Sequence, residues 1–155
     1  MPMISFESGQ LSNKVKKEFD FSTMVCFLLD STSNAMIRGY RPELAKFDLT
    51  YPQFLVMMTL WNNDNILIKE ISKSTSFDSG TLTPILKRLE NKAYIKRVSS
   101  KIDERAKLIV LTDKGKSLKE QTSYIFKNME CKIELTEEEQ KQISSICNKI
   151  LNKLT

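Results

Sequence analysis

The residues able to do chemistry in this chain are few. Cysteine stands at Cys26, Cys131 and Cys147, too widely spaced for a zinc site or a disulfide-rich secreted scaffold. The expected compartment is therefore the reducing cytoplasm. Histidine is absent, which excludes Ser–His and Cys–His nucleophilic pairs and His-based metal centres. No glycine-rich phosphate loop is present. No catalytic residue, metal or cofactor is expected, and the chain reads as a non-enzyme. What remains is charge and hydroxyl chemistry. The net charge is +5 over 155 residues. The span from Lys69 to Lys107 holds ten Lys/Arg against five Asp/Glu, and the remainder holds fourteen of each sign. All of the excess is thus local, which suits a phosphate backbone, although a solvated charged face is the simpler alternative. Inside that span lies Ser79-Gly80-Thr81-Leu82-Thr83-Pro84. It is a run of small hydroxyl residues that reads, taken alone, as a capped helix start.

The elements that must position these residues follow from periodicity. Residues 1–20 are polar and mixed. From about 21 to 40, Met24, Phe27, Leu28, Ser31, Ala35 and Met36 recur at helical spacing. Pro42 should then break or restart the chain. Thr50 with Gln53 forms a capping box, and Pro52 sits just inside a helix expected from Tyr51 to Trp61. After the turn-rich 62–65, a short helix is expected over 68–74 and another over 79–91, the latter with Leu82, Ile85, Leu86 and Leu89 inward. Two short helices joined by a tight turn suggest a helix-turn-helix. The runs 94–98 and 107–111 are β-prone and flank a charged stretch, so they predict a β-hairpin with a basic tip. A helix over about 113–129 and a last one from the Thr136/Glu139 box to Leu154 complete the chain, with Cys147 on the inward stripe as a core residue. The expected fold is mainly α with a small β-hairpin wing: one domain over 1–155, a winged helix-turn-helix core over about 50–111, and helices over about 21–40 and 113–154 that form a dimerisation region. No apolar run approaches the ~20 residues a bilayer requires, and residues 1–20 lack the pattern of a signal peptide.

Asp78-Ser79-Gly80-Thr81-Leu82-Thr83-Pro84-Ile85-Leu86-Lys87-Arg88-Leu89-Glu90 resembles the recognition-helix motif of the MarR family, in its organic-hydroperoxide-sensing branch. Asp103-Glu104-Arg105 matches the Asp-x-Arg motif at that family's wing tip. Leu49-Thr50-Tyr51-Pro52-Gln53-Phe54 and Val25-Cys26-Phe27-Leu28-Leu29 match two further blocks of the branch. The resemblance covers about residues 22–120.

The resemblance implies a cytoplasmic homodimeric regulator, by default a repressor, bound to a pseudo-palindromic duplex. Ser79, Gly80, Thr81, Thr83 and Pro84 would face the major groove, with Lys87 and Arg88 toward phosphates. Arg105 would enter the minor groove, braced by Asp103, with Arg97 and Lys101 supporting phosphate contact. Cys26 takes the position of the branch's peroxide-sensing cysteine. Tyr40 and Tyr51 take the positions of phenols reaching it from the partner, and Cys131 lies in the region of the resolving cysteine. The oxidant would be a peroxide or a related species, such as an organic hydroperoxide. Asp30 departs from the pattern, standing where the branch usually has a third tyrosine, and a carboxylate there disfavours a thiolate. This departure keeps open a regulator released by a small ligand instead of by oxidation. A thiol peroxidase is the reading least supported, because no thioredoxin-like pattern accompanies Cys26.

Overall fold

The computed structural model describes residues 20–99 and 107–154. They fall into two compact units, one ending at Ala35 and the other beginning at Met36. In the first, Asp20 caps a short 3-10 turn, Phe21–Thr23, by accepting from the Ser22 amide at 3.1 Å and the Ser22 hydroxyl at 2.6 Å. The Phe21 and Phe27 rings meet at 5.4 Å. Every residue from Asp20 to Asp30 is exposed.

The helix α1 spans Val25–Ala45 and passes through Pro42, which corrects the break expected there. Pro42 deprives the Arg38 carbonyl of its usual donor, a cost confined to the last turn. That turn is anchored by Tyr40 and Leu44, both buried. It closes through the amides of Phe47 and Leu49, each donating to the Leu44 carbonyl at 3.0 Å. Burial at both ends of the proline turn outweighs one missing hydrogen bond.

In the second unit, α2 (Tyr51–Asn62) is the central element. It starts at the capping box read from sequence: the Thr50 amide donates to Gln53 Oε1 at 3.1 Å, and the Gln53 amide to Thr50 Oγ1 at 3.4 Å. Its Phe54, Val56, Met57 and Leu60 are buried, and it packs against α3 (Ile68–Thr75), α4 (Ser79–Asn91) and α5 (Asp113–Ile133). Ser76 takes the left-handed conformation at the end of α3 (φ 58°). The Ser72 hydroxyl donates to the Phe77 carbonyl at 2.6 Å, so the turn into α4 is held by side chains as well as by backbone.

The sheet has three antiparallel strands in the order β1-β3-β2: β1 (Ile66–Leu67), β2 (Ile95–Ser99) and β3 (Lys107–Leu111). Ile95 pairs with Leu111 and Ser99 with Lys107, as a hairpin requires. The strand β1, which pairs Ile66 with Ile109, enlarges the expected two-stranded wing. Asp64 prepares it, its Oδ1 accepting from the Asn65 amide at 2.7 Å and from the Leu111 amide at 2.8 Å.

The helix α5 runs one turn beyond its expected end, to Ile133, and closes on a left-handed Glu134. The helix α6 (Glu137–Leu154) opens at the Thr136/Glu139 box, with the Thr136 amide donating to Glu139 Oε2 at 2.8 Å. It buries none of its residues. Cys147 is half-buried, not the core residue expected, because the Ile143, Ile146 and Leu154 stripe around it is exposed in the single chain.

Candidate nucleic-acid interface and thiol sites

The helix α4 divides into two faces. Leu82, Leu86 and Leu89 are fully buried, each contributing on the order of 1.5–3 kcal/mol of burial. They fix the rotation of the helix, and that rotation turns Ser79, Gly80, Thr81, Thr83, Pro84, Lys87 and Arg88 to the exposed side. Seven of the residues selected from sequence therefore share one open surface.

Within that surface the hydroxyls are not equivalent. Asp78 caps the helix: its Oδ1 accepts from the Thr81 amide at 2.8 Å and its Oδ2 from the Thr81 hydroxyl at 3.0 Å. These two bonds, the backbone one first, hold the Asp78 carboxyl below its ordinary range. The Thr83 hydroxyl donates to the Ser79 carbonyl at 2.7 Å. Thr81 and Thr83 thus use their hydrogens internally and present acceptor lone pairs and methyl groups outward. The Ser79 hydroxyl has no hydrogen-bond partner among the described residues, and it is the free donor of the three. A Cβ on Gly80 would meet Asp78 Oδ1 at 3.0 Å, so any larger side chain there presses on the cap.

The basic residues also differ in what they face. Lys87 and Arg88 are exposed and make no ion pair among the described residues. Arg97 is half-buried on β2. Its Nε lies 3.3 Å from Glu90 Oε2, out of line for a hydrogen bond, and its amide donates to Glu90 Oε1 at 3.3 Å. Glu90 therefore offsets part of the charge that was expected to serve a phosphate. Lys107 Nζ donates to Ser99 Oγ at 2.8 Å across the hairpin. Lys92 turns inward toward the α1–α2 corner, where its ammonium donates to the Asp48 carbonyl and to Gln53 Oε1. Lys101, Asp103 and Arg105, the expected wing-tip set, lie outside the described residues.

One glycine that mattered was not singled out from sequence. Gly115 lies in the first turn of α5, where a Cβ would come within 2.0 Å of the Tyr94 carbonyl oxygen. Its amide donates to Thr112 Oγ1 at 3.0 Å, and its carbonyl accepts from Trp61 Nε1 at 2.9 Å. The only sequence signal was a glycine placed where a strong helix former is normally favoured.

Cys26 and Cys131 are both exposed. Cys26 sits in the first turn of α1, and Asp30, one turn later, accepts from Asn34 Nδ2 at 3.0 Å. Tyr40 and Tyr51 stack in the second unit, with ring centroids 5.0 Å apart and Phe54 next in line at 6.4 Å from Tyr40. Burial raises the pKa of both phenols, and the neighbouring Tyr51 and Glu130 raise that of Tyr40 further. Both hydroxyls are therefore protonated donors at neutral pH, and neither has a hydrogen-bond partner among the described residues.

Between α2 and α5 lies a cavity of about 210 Å³, lined by Phe54, Met58, Trp61, Lys119, Thr122 and Phe126 among others. Among the described residues, no group of Cys, Asp or Glu is placed to hold a metal ion, and no helix is long and apolar enough to cross a membrane.

Comparison with known proteins agrees with this arrangement. Residues 38–122 match the model of the transcriptional regulator SarA/Rot family. The organic hydroperoxide resistance transcriptional regulator of Bacillus subtilis is 41% identical over 109 residues, covering 68% of this chain and 74% of that protein. The regulator TtmR of Methylorubrum extorquens is 45% identical over 97 residues, 63% of this chain, and the matched segment spans 50% of its length. Among solved structures, reduced AbfR bound to DNA, a Staphylococcus epidermidis protein, superposes with a TM-score of 0.69 at 32% identity, covering 84% of this chain and 90% of that one. The buried leucine face of α4, its open hydroxyl and basic face, the three-stranded wing and these matches agree: the chain belongs to the SarA/Rot-type MarR family of winged-helix transcriptional regulators.

Proposed function

We propose that two copies of this chain bind a pseudo-palindromic duplex as a repressor, and that oxidation of Cys26 by an organic hydroperoxide releases it. The observation that carries the DNA-reading half is the open face of α4. Ser79 supplies a free donor, Thr81 and Thr83 supply acceptors and methyl groups, and Pro84 adds an apolar surface suited to a thymine methyl. Lys87 and Arg88, without an ion pair among the described residues, serve phosphates along the same face. Arg97, leaning on Glu90, Lys101 and the pair Asp103 and Arg105 complete the surface on the wing side in this reading. The DNA-bound state of the AbfR neighbour supports it. The exposed apolar stripe of α6, with Ile143, Ile146 and Leu154, supports a two-fold partner.

For the switch, the partner subunit's Tyr40 and Tyr51 donate to the Cys26 thiolate and favour its ionised form. The thiolate attacks the hydroperoxide. A sulfur–oxygen bond forms, the oxygen–oxygen bond breaks, and the alkoxide leaves and takes up a proton, giving a sulfenic acid. The Cys131 thiol of the partner subunit then displaces water from the sulfenic acid to form a disulfide. Exposure of both thiols and two phenols without a hydrogen-bond partner among the described residues support this sequence, as does the likeness to a regulator of hydroperoxide resistance.

A second reading, release by a small ligand, is favoured by the aromatic-lined cavity between α2 and α5 and by the carboxylate of Asp30 beside Cys26. A gel shift separates the two. The duplex is one enriched from a random-sequence pool by the reduced protein, and the samples are reduced protein, cumene-hydroperoxide-treated protein and Cys26→Ser. Release on oxidation that is lost in Cys26→Ser supports the switch. Binding that ignores the oxidant in both overturns it and favours the ligand.

A further inference from the structure

Lys92 belongs to the strongly basic segment, yet its ammonium does not face outward as Lys87 and Arg88 do. It caps α4, its own amide donating to the Arg88 carbonyl at 3.1 Å. Its side chain reaches back 44 residues to the corner between α1 and α2. There Nζ donates to the main-chain carbonyl of Asp48, lies 3.1 Å from Asp48 Oδ2, and donates to Gln53 Oε1 at 3.3 Å. The acceptors are not incidental. Asp48 holds a left-handed conformation (φ 53°) that ends α1 and aims its carbonyl at the lysine. Gln53 is buried, and the same Oε1 accepts from the Thr50 amide in the box that starts α2. A neighbouring bond runs in parallel, with the Tyr94 hydroxyl donating to the Phe47 carbonyl at 3.2 Å. Lys114 Nζ closes the other side by donating to the Lys92 carbonyl at 2.9 Å.

Lys92 therefore ties the end of α4, through its main chain, to the turn after α1 and the start of α2, through its ammonium. An exposed phosphate-binding lysine would leave its Nζ in water. This side chain is only 24% exposed and its donors are spent on protein oxygens.

We infer that Lys92 is a positioning residue for DNA reading: it sets the end of α4, and hence the angle at which Ser79–Arg88 meets the duplex, without binding phosphate. The inference rests on the DNA-reading proposal above. It identifies the strut by which a shift at the α1–α2 corner, immediately before Tyr51, reaches α4.

The test is the salt dependence of binding by fluorescence anisotropy, with the full-length chain. The duplex is one enriched from a random pool by the wild-type protein, and a scrambled duplex of equal composition serves as the reference. Wild type, Lys92→Met, Asp48→Asn and Lys87→Met are compared, with thermal melts confirming that each is folded at the assay temperature. Asp48→Asn keeps a residue type that tolerates the left-handed turn and removes only a carboxylate that is 85% exposed, so one arm survives should Lys92→Met fail to fold.

The expected result is that Lys92→Met weakens binding to the enriched duplex about tenfold. Binding to the scrambled duplex and the slope of log affinity against log salt stay unchanged. Lys87→Met instead flattens the slope by about 0.9 and weakens both duplexes. Asp48→Asn gives a smaller loss of the Lys92→Met kind. A flattened slope and equal loss on both duplexes in Lys92→Met would make Lys92 a phosphate ligand and overturn the inference. So would unchanged binding in both Lys92→Met and Asp48→Asn. Wild-type protein that prefers neither duplex and shows no salt dependence would overturn the DNA-reading proposal itself, a result distinct from either of these.

Discussion

Replacing Gly115 by alanine adds one methyl group, yet it should be among the more disruptive single substitutions in the chain. The new Cβ would lie 2.0 Å from the Tyr94 carbonyl oxygen, 3.0 Å from its carbon and 3.2 Å from Leu111 Cδ2. The first of these is more than 1 Å inside van der Waals contact, and the obstacle is backbone, which has no rotamer to change. The first turn of α5 must therefore move away from the residue that leads into β2. That movement strains four bonds at once: the Thr112 amide to the Tyr94 carbonyl, 3.1 Å; the Thr112 hydroxyl to the Ala93 carbonyl, 2.6 Å; the Gly115 amide to Thr112 Oγ1, 3.0 Å; and Trp61 Nε1 to the Gly115 carbonyl, 2.9 Å. Overpacking typically costs about 1–3 kcal/mol, and weakening two of the four bonds adds about 1 kcal/mol each. A loss of about 4 kcal/mol corresponds to a fall in melting temperature of about 8–16 °C for a chain of this size. Thermal denaturation followed by circular dichroism reads it directly. A fall of less than 3 °C would show that α5 yields freely at this contact and would refute the reasoning.

The remaining expectations are simpler. Arg88→Ala and Lys87→Ala should each reduce the salt slope of DNA affinity by about 0.9 and leave the melting temperature within 1–2 °C, as equilibrium titrations and melts would show. The Asp78 carboxyl, held down by its bonds to Thr81, should titrate below its ordinary value of 3.8. A depressed carboxylate stabilises the fold above its unfolded pKa and loses that contribution as pH falls through the folded one. The α4 cap therefore persists at neutral pH and is lost below 3.8, and an NMR midpoint at or above 3.8 would contradict the capping geometry. Tyr40→Phe should keep the fold, because the ring stacking on Tyr51 is retained, while slowing oxidation of Cys26 several-fold. Equal rates in a thiol-labelling time course would remove Tyr40 from the switch.

Much of the fold was legible in the sequence because its signals are local. The Thr50/Gln53 and Thr136/Glu139 boxes and the leucine face of α4 each lie within a few residues, and the two wing strands are only one hairpin apart. What escaped was long-range or marginal. Two residues of β1 carry no periodicity, and only Ile109, 43 residues away, makes Ile66 a strand residue. Pro42 reads as a helix stop until Tyr40 and Leu44 are seen to be buried around it. Charge counting placed Lys92, Arg97 and Lys107 with Lys87 and Arg88. Their partners Asp48, Glu90 and Ser99 are set by tertiary structure, which no composition reveals. Gly115 was silent for the same reason, its obstacle lying on another element. Cys147 misled in the opposite direction, since an apolar stripe states that a face is to be covered without saying by what.

The central claim is that the outward face of α4 meets the duplex. Amide chemical shifts of isotopically labelled protein, titrated with the enriched duplex, test it residue by residue. The largest changes should fall on Ser79–Thr83 and Ile85–Arg88, with α3 and α6 nearly silent. Changes concentrated on α6 or on the cavity between α2 and α5, with Ser79–Arg88 unmoved, would contradict the claim.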